Sequence, residues 1–315
     1  MTARSILVYH PEPGEAQAYA RLIKQPRPPF ALAVCATPAE AEPHIADAEI
    51  LYAWNFPRGL LPRAAKLRWA QSMGAGVERF MVPGLPRRVT VTRVAGIFGP
   101  WMAEYVLGWC LWFTQRTELF RAQQRERRWQ PMDPLRLHGT TLCVVGLGDI
   151  GRTIARAARG FGMRVIGVSR SGRKVAGAES VHKTRDIRKA LAAADFVALT
   201  VPLTDATRGL IGAAELAAMR PTAWLINISR GPVVDEAALL DALRDKRLGG
   251  AVLDVFDEEP LPQDHPLWEF GNVVITPHIS GPSTPGEIAP LFNDNLRRYL
   301  RGRTLRYRVD RKRGY

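Results

Sequence analysis

The chain is short of cysteine, of acidic residues and of long apolar runs, and each shortage removes a class of protein. Three cysteines occur, Cys35, Cys110 and Cys143, odd in number, far apart and each inside an apolar stretch. That spacing suits neither a disulfide framework nor a zinc site, so buried free thiols in a reducing compartment are expected, with no metal. The apolar stretch Tyr105 to Phe113 is too short to cross a bilayer and is flanked by Glu104 and Arg116. Met1 to His10 lacks the charged start, long apolar core and small-residue cleavage site of a secretory signal. A cytoplasmic protein without membrane association is the expectation.

Acidic residues number 30 against 44 lysines and arginines, a formal charge of +14, which raises the question of nucleic acid or acidic substrates. Much of the excess gathers in Arg297, Arg298, Arg301, Arg303, Arg306, Arg308, Arg311, Lys312 and Arg313. Leu296, Tyr299, Leu300, Leu305 and Tyr307 are interleaved at spacings of a helix and a packed return. A solvated face is therefore expected there rather than a nucleic-acid site. Attraction of small anions is a secondary expectation of such a charge.

At 315 residues the chain suits two domains better than one core. Short apolar runs at 6–9, 31–34, 50–54, 67–70 and 89–94 alternate with helical patterns near 12–24 and 38–46. A long apolar helix is expected over 100–121, followed by a polar stretch, 123–138. A second series of strands follows at 141–145, 164–168, 196–201, 224–228, 251–255 and 273–275. Helices near 150–161, 185–193, 213–219 and 236–244 separate them, and a last helix spans about 287–300. Such alternation specifies an α/β protein with two parallel-sheet domains, Rossmann-like or flavodoxin-like. The most economical chain path inserts a nucleotide-binding domain, 99–285, into a discontinuous substrate domain, 1–98 and 286–315.

Gly146-Leu147-Gly148-Asp149-Ile150-Gly151 follows an apolar strand and opens a helix. The first glycine permits the tight turn, the second admits a pyrophosphate to the backbone, and the third lets helix and strand pack closely. Helix N-terminal amides then meet the phosphate charge. The next strand ends at Ser169-Arg170-Ser171, where an acidic residue for the ribose hydroxyl of NAD is missing. Hydroxyls and a guanidinium can hold a 2′-phosphate, so NADP(H) is expected in preference to NAD(H).

Three later apolar runs end on Arg230, Glu259 and His278. An anion clamp, a carboxylate and a titratable imidazole are the groups needed to reduce a carbonyl beside a carboxylate. Glu258 adjoins Glu259, and spacing alone does not choose between them.

The chain resembles the D-2-hydroxyacid dehydrogenases, specifically their glyoxylate/hydroxypyruvate reductase A type. The likeness spans nearly the whole length. It includes Trp54, Ser72-Met73-Gly74-Ala75-Gly76-Val77, Trp129-Gln130-Pro131, the glycine fingerprint, Glu259-Pro260-Leu261-Pro262, Thr276-Pro277-His278 and the run from Val309 to Tyr315. The resemblance implies that Arg230, Glu259 and His278 are catalytic, the glutamate being the one directly before proline. A glutamate there argues against formate dehydrogenase chemistry. His278 would donate the proton, Glu259 would favour its cationic form, and Arg230 would bind the carboxylate and ketone oxygens of a 2-oxo acid. It further implies substrate contacts from Trp54 and the Ala75 and Gly76 amides. Cofactor contacts would come from Gly146, Gly148, Asp149, Ile150, Gly151, Ser169, Arg170, Ser171, Val201, Pro202, Ile228 and Ser229. Asp254 would orient the nicotinamide carboxamide or simply bond local backbone. A homodimer through the long helix and the Trp129 segment is also implied. The alternatives are an NAD-dependent dehydrogenase of a bulkier 2-hydroxy acid and, from another class, a nucleotide-sensing binding protein or corepressor on the same fold.

Overall fold

A computed structural model of the chain describes residues 4–315, so the first three positions of the expected 1–98 segment lie outside the described residues. The backbone divides into two units. One runs to Ile97 and resumes at Ser283–Tyr315; the other is Phe98–Pro282.

The first unit holds β1 (Ser5–Tyr9), α1 (Glu15–Arg21), β2 (Ala31–Cys35), α2 (Pro38–Ile45), β3 (Ile50–Ala53), β4 (Trp69–Ser72) and β5 (Thr90–Thr92). Its strands are all parallel, in the order β2-β1-β3-β4-β5 of a flavodoxin-like sheet. Every residue of β3 and β4 is buried, as in a sheet covered on both faces, with the polar Gln71 and Ser72 of β4 held by hydrogen bonds. Local chemistry sets the helix starts: Thr37 accepts a bond from the Glu40 amide, and Pro38 occupies the first turn of α2.

The second unit opens with α3 (Phe98–Thr114) and α4 (Thr117–Arg125). It continues through β6 (Thr141–Val145), α5 (Asp149–Gly160), β7 (Arg164–Ser169), β8 (Ser180–Lys183), α6 (Ile187–Ala192) and β9 (Phe196–Leu199). It closes with α7 (Ala213–Ala218), β10 (Trp224–Asn227), α8 (Glu236–Arg244), β11 (Gly250–Leu253) and β12 (Val273–Ile275). Its seven parallel strands run β12-β11-β10-β9-β6-β7-β8, the doubly wound order whose direction reverses between β6 and β9. Successive side chains serve opposite faces: Cys143 and Val145 join one apolar cluster, Leu142 and Val144 the other. The expected α/β class with two parallel-sheet domains holds.

Two expectations change. The helix expected over 100–121 is two helices, because Arg116 is left-handed (φ 50°) and cannot continue an α-helix. The edge strand β8 was not anticipated; its sequence, Ser-Val-His-Lys, is polar and partly exposed, with no apolar run to betray it. The cysteines are free and buried, and burial pushes the Cys143 thiol up to about 12. Among the described residues no helix is long and apolar enough to cross a membrane.

The helix α9 (Pro285–Leu300) belongs to the first unit because of what it carries. Phe292 stacks on Tyr52 (centroids 4.0 Å apart) and Trp69 (5.0 Å). Each such pair adds about 0.5–1.5 kcal/mol to the burial itself. Beyond α9, Val309 N donates to Val91 O (2.9 Å) and Arg93 N to Tyr307 O (3.1 Å), extending the sheet past β5. The arginines here are mostly exposed, and Asp294 pairs with Arg297, Arg298 and Arg306.

Candidate active site

In the second unit the singled-out residues follow the C-terminal ends of successive strands, the edge of a doubly wound sheet where ligands bind. After β6 comes Gly146, with φ 104°, a conformation that favours glycine. A Cβ on Gly151 would overlap the Gly146 carbonyl oxygen and stand 2.9 Å from Thr200 Oγ1, so only glycine lets α5 sit this close. Gly148 differs: a Cβ there meets nothing within 4 Å, and it precedes α5 with no side-chain cap. The result is an open, uncapped helix start beside the strand-order reversal, which fits a dinucleotide pyrophosphate. Asp149 and Ile150 form the first turn of α5, and Val201 and Pro202 follow β9 across the reversal.

Ser169 closes β7, and its Oγ accepts from the Gly172 amide (3.2 Å); Ser171 Oγ accepts from the Arg173 amide (3.2 Å). Both hydroxyl protons stay available to a ligand. Arg170 is exposed between them. Ile228 and Ser229 follow β10 and are buried. Ser229 donates through both N and Oγ to Asn227 Oδ1 (3.1 and 2.8 Å).

Arg230 comes next. Asn227 Nδ2 donates to its carbonyl (3.0 Å), and its guanidinium donates to Ser229 O (2.6 Å). A Cβ on the following Gly231 would overlap the Phe256 backbone, which shows how closely this turn packs on the loop leading to Glu259. There Glu259 Oε1 accepts from the Phe256 amide (3.0 Å), and Oε2 lies 2.9 Å from His278 Nδ1. Glu259, not Glu258, makes this bond. Burial pushes the Glu259 carboxyl up, but the hydrogen bonds from His278 and Phe256, with the charges of His278 and Arg230, more than offset it and hold it below the ordinary glutamate range. An ionised carboxylate only accepts, so Nδ1 carries a proton and the Nε2 edge faces away from Glu259.

His278 has φ 54°, uncommon for a non-glycine residue, and the loop around it is held by Asp254. Asp254 is fully buried after β11. Its Oδ1 accepts from Thr276 Oγ1 (2.5 Å) and Ile279 N (2.8 Å), and its Oδ2 from Ser280 N (2.9 Å). Both oxygens are thus engaged locally, with donors on either side of His278. From sequence, Asp254 is singled out, with local backbone bonding as one of its two expected roles, but Asn227 is not.

In the first unit Trp54 follows β3 and Ala75–Gly76 follow β4. A Cβ on Gly74 would overlap the Trp54 ring, so the indole lies directly on that loop. Ser72 Oγ accepts from Gly74 N (3.1 Å) and donates to Gly76 O (2.9 Å), fixing the turn. The Ala75 and Gly76 amides donate to no acceptor among the described residues. His10, which follows β1, lies near Trp54 (6.2 Å between centroids), and burial lowers its pKa.

The family model described as D-isomer specific 2-hydroxyacid dehydrogenase, NAD binding domain, matches residues 107–280. The chain belongs to this family. Glyoxylate/hydroxypyruvate reductase A of Serratia proteamaculans is 30% identical, covering 99% of this chain and all of that protein. A D-isomer specific 2-hydroxyacid dehydrogenase family protein from Aeromonas salmonicida superposes with a TM-score of 0.89 at 38% identity, covering 99% of this chain and 100% of that one. The NADPH-dependent glyoxylate/hydroxypyruvate reductase of Sinorhizobium meliloti, solved with NADP and sulfate, gives 0.90 at 29% identity over the full length of both. This D-2-hydroxyacid dehydrogenase is accordingly an NAD(P)-dependent oxidoreductase of small 2-oxo and 2-hydroxy acids.

Proposed function

We propose that the enzyme reduces glyoxylate or hydroxypyruvate to the 2-hydroxy acid, prefers NADPH to NADH, and uses His278 as the proton donor. The observation that carries this reading is the 2.9 Å bond from His278 Nδ1 to Glu259 Oε2, with Arg230 close enough to depress the same carboxylate. Glu259 accepts from Nδ1, fixes the ring, and directs Nε2 toward the substrate oxygen. The Arg230 guanidinium holds the 2-oxo acid through its carboxylate and ketone oxygens and opposes the negative charge that develops on the ketone. Ala75 and Gly76, whose amides are unsatisfied, take the substrate carboxylate, and Trp54 limits the acid's side chain. Bound on the Gly146–Gly151 cradle, NADPH supplies the hydride. Ser169, Arg170 and Ser171 hold its 2′-phosphate, where a carboxylate would repel it. In the oxidative direction His278 takes the proton back.

A homodimer goes with this reading. Trp129 is 96% exposed, with Leu135 and Met132 exposed on the same stretch after α4, a set of apolar side chains that suits cover by a second copy.

Steady-state reduction of a panel of 2-oxo acids, followed by NADPH or NADH absorbance, tests the proposal. Glyoxylate or hydroxypyruvate should lead the panel, with kcat/KM for NADPH roughly tenfold or more above NADH. His278→Gln should lower kcat by about 10²–10⁴ with NADPH affinity unchanged. Wild-type turnover in that variant would refute the proton-donor assignment.

A further inference from the structure

We infer that Tyr105 is a positioning residue for His278, acting through the Thr276 hydroxyl on the Asp254 carboxylate. The inference rests on the reading of His278 as proton donor and adds a residue outside the motif it came from.

Tyr105 lies on α3, and its hydroxyl is 2.7 Å from Thr276 Oγ1. Either oxygen could donate on distance alone, but the next bond decides. Asp254 Oδ1 is 2.5 Å from Thr276 Oγ1, and a carboxylate only accepts. The threonine proton therefore points at Asp254, and Tyr105 donates to Thr276. The chain of donors runs one way, from Tyr105 through Thr276 to Asp254.

Burial pushes the Tyr105 phenol up to about 12, so it keeps its proton across the working range. Its helix is anchored: Val106, Leu107 and Cys110 are buried in the core, and the Tyr105 ring meets Trp109 edge-on, 6.2 Å between centroids. The segment it steadies is the opposite, since Pro277, His278 and Ile279 are exposed and His278 is left-handed. An exposed residue in a sparsely populated backbone conformation stays there only if its flanks are held. Thr276 is the flank on the β12 side, tied by backbone to Leu253 O (3.0 Å) and by side chain to both Asp254 and Tyr105. Removing the phenol oxygen loosens Thr276, then the Asp254 carboxylate that also holds the Ile279 and Ser280 amides. Displacing the imidazole by a fraction of an ångström lowers turnover without touching the cofactor cradle.

The test uses Tyr105→Phe, Thr276→Val and Thr276→Ser in the full chain. Tyr105→Phe and Thr276→Val should each lower kcat about tenfold. The Kd for NADPH should stay within about twofold of wild type, and Thr276→Ser, which keeps the hydroxyl, should stay near wild type. In the protein without cofactor, amide hydrogen exchange at Ile279 and Ser280 should rise severalfold in Tyr105→Phe. In a His278→Gln background Tyr105→Phe should cause no further loss, because the residue it positions is gone. Unchanged kcat and exchange in Tyr105→Phe, or an equal loss with and without His278, overturns the role of Tyr105 while leaving the proton-donor reading intact. Wild-type turnover in His278→Gln overturns both.

Discussion

Asp254→Asn is the sharpest perturbation of the His278 loop because it keeps the size of the side chain and changes one oxygen. In the wild type, three donors converge on the carboxylate, two at Oδ1 and one at Oδ2. An asparagine can face its carbonyl toward Thr276 and Ile279 or toward Ser280, not both. The less costly choice keeps two bonds and aims an amino group at the Ser280 amide, donor against donor. Ser280 is 3% exposed, so solvent offers that amide little relief. One buried donor left without a partner costs about 1–3 kcal/mol, and each of the two surviving bonds drops from charge-assisted to neutral, about 1 kcal/mol apiece. The total is about 3–5 kcal/mol. For a unit of this size each kcal/mol moves the midpoint by roughly 2–4 °C, so the second unit should melt about 10 °C lower. Calorimetry and circular dichroism read the midpoint, and kcat should fall with it because His278 sits between the lost donors. A melting midpoint within about 2 °C of wild type would refute the claim that Asp254 holds the loop.

Glu259 has a depressed pKa, so what its ionised form contributes is present above the ordinary glutamate value of about 4.3 and is lost as pH falls through a lower one. The acid limb of kcat/KM should therefore lie below that value, and Glu259→Gln should abolish the limb and cost about tenfold in kcat, the worth of one charge-assisted bond; a pH profile decides. Gly151→Ala places a Cβ on the Gly146 carbonyl, which backbone cannot yield cheaply. It should weaken NADPH binding by roughly 100-fold and lower the melting temperature, measured by cofactor fluorescence and calorimetry. Gly74→Ala should displace the Trp54 ring and raise KM for the 2-oxo acid about tenfold while leaving the NADPH Kd untouched.

The parallel strands were legible because each is a short apolar run, and a strand's end is the address of whatever follows it. Arg230, Asp254 and the Thr276–His278 segment were located in that way. Other features left no local trace. Glu258 and Glu259 are equivalent in spacing; the resemblance picks Glu259 by its following proline, and the fold puts that residue on the imidazole. The break at Arg116 lies in the polar run Thr114–Glu118 and carries no glycine or proline, so nothing in it marks the end of a helix. β8 pairs with β7 and packs only Val181 against the core. The Tyr105–Thr276 bond joins positions 171 residues apart, and a tyrosine inside an apolar helix reads as core until the fold brings its hydroxyl to a partner.

The place of Phe292 between Tyr52 and Trp69 also sets an order of events during synthesis. All five strands of the first sheet emerge early, yet their aromatic partner is made only after the whole of Phe98–Pro282. At about 5–20 residues per second the delay is roughly 10–45 s. The second unit is contiguous and can complete itself in that interval, whereas the first sheet waits with Trp69 and Tyr52 uncovered. A ribosome stalled before α9 would therefore carry one finished domain and one chaperone client on the same nascent chain.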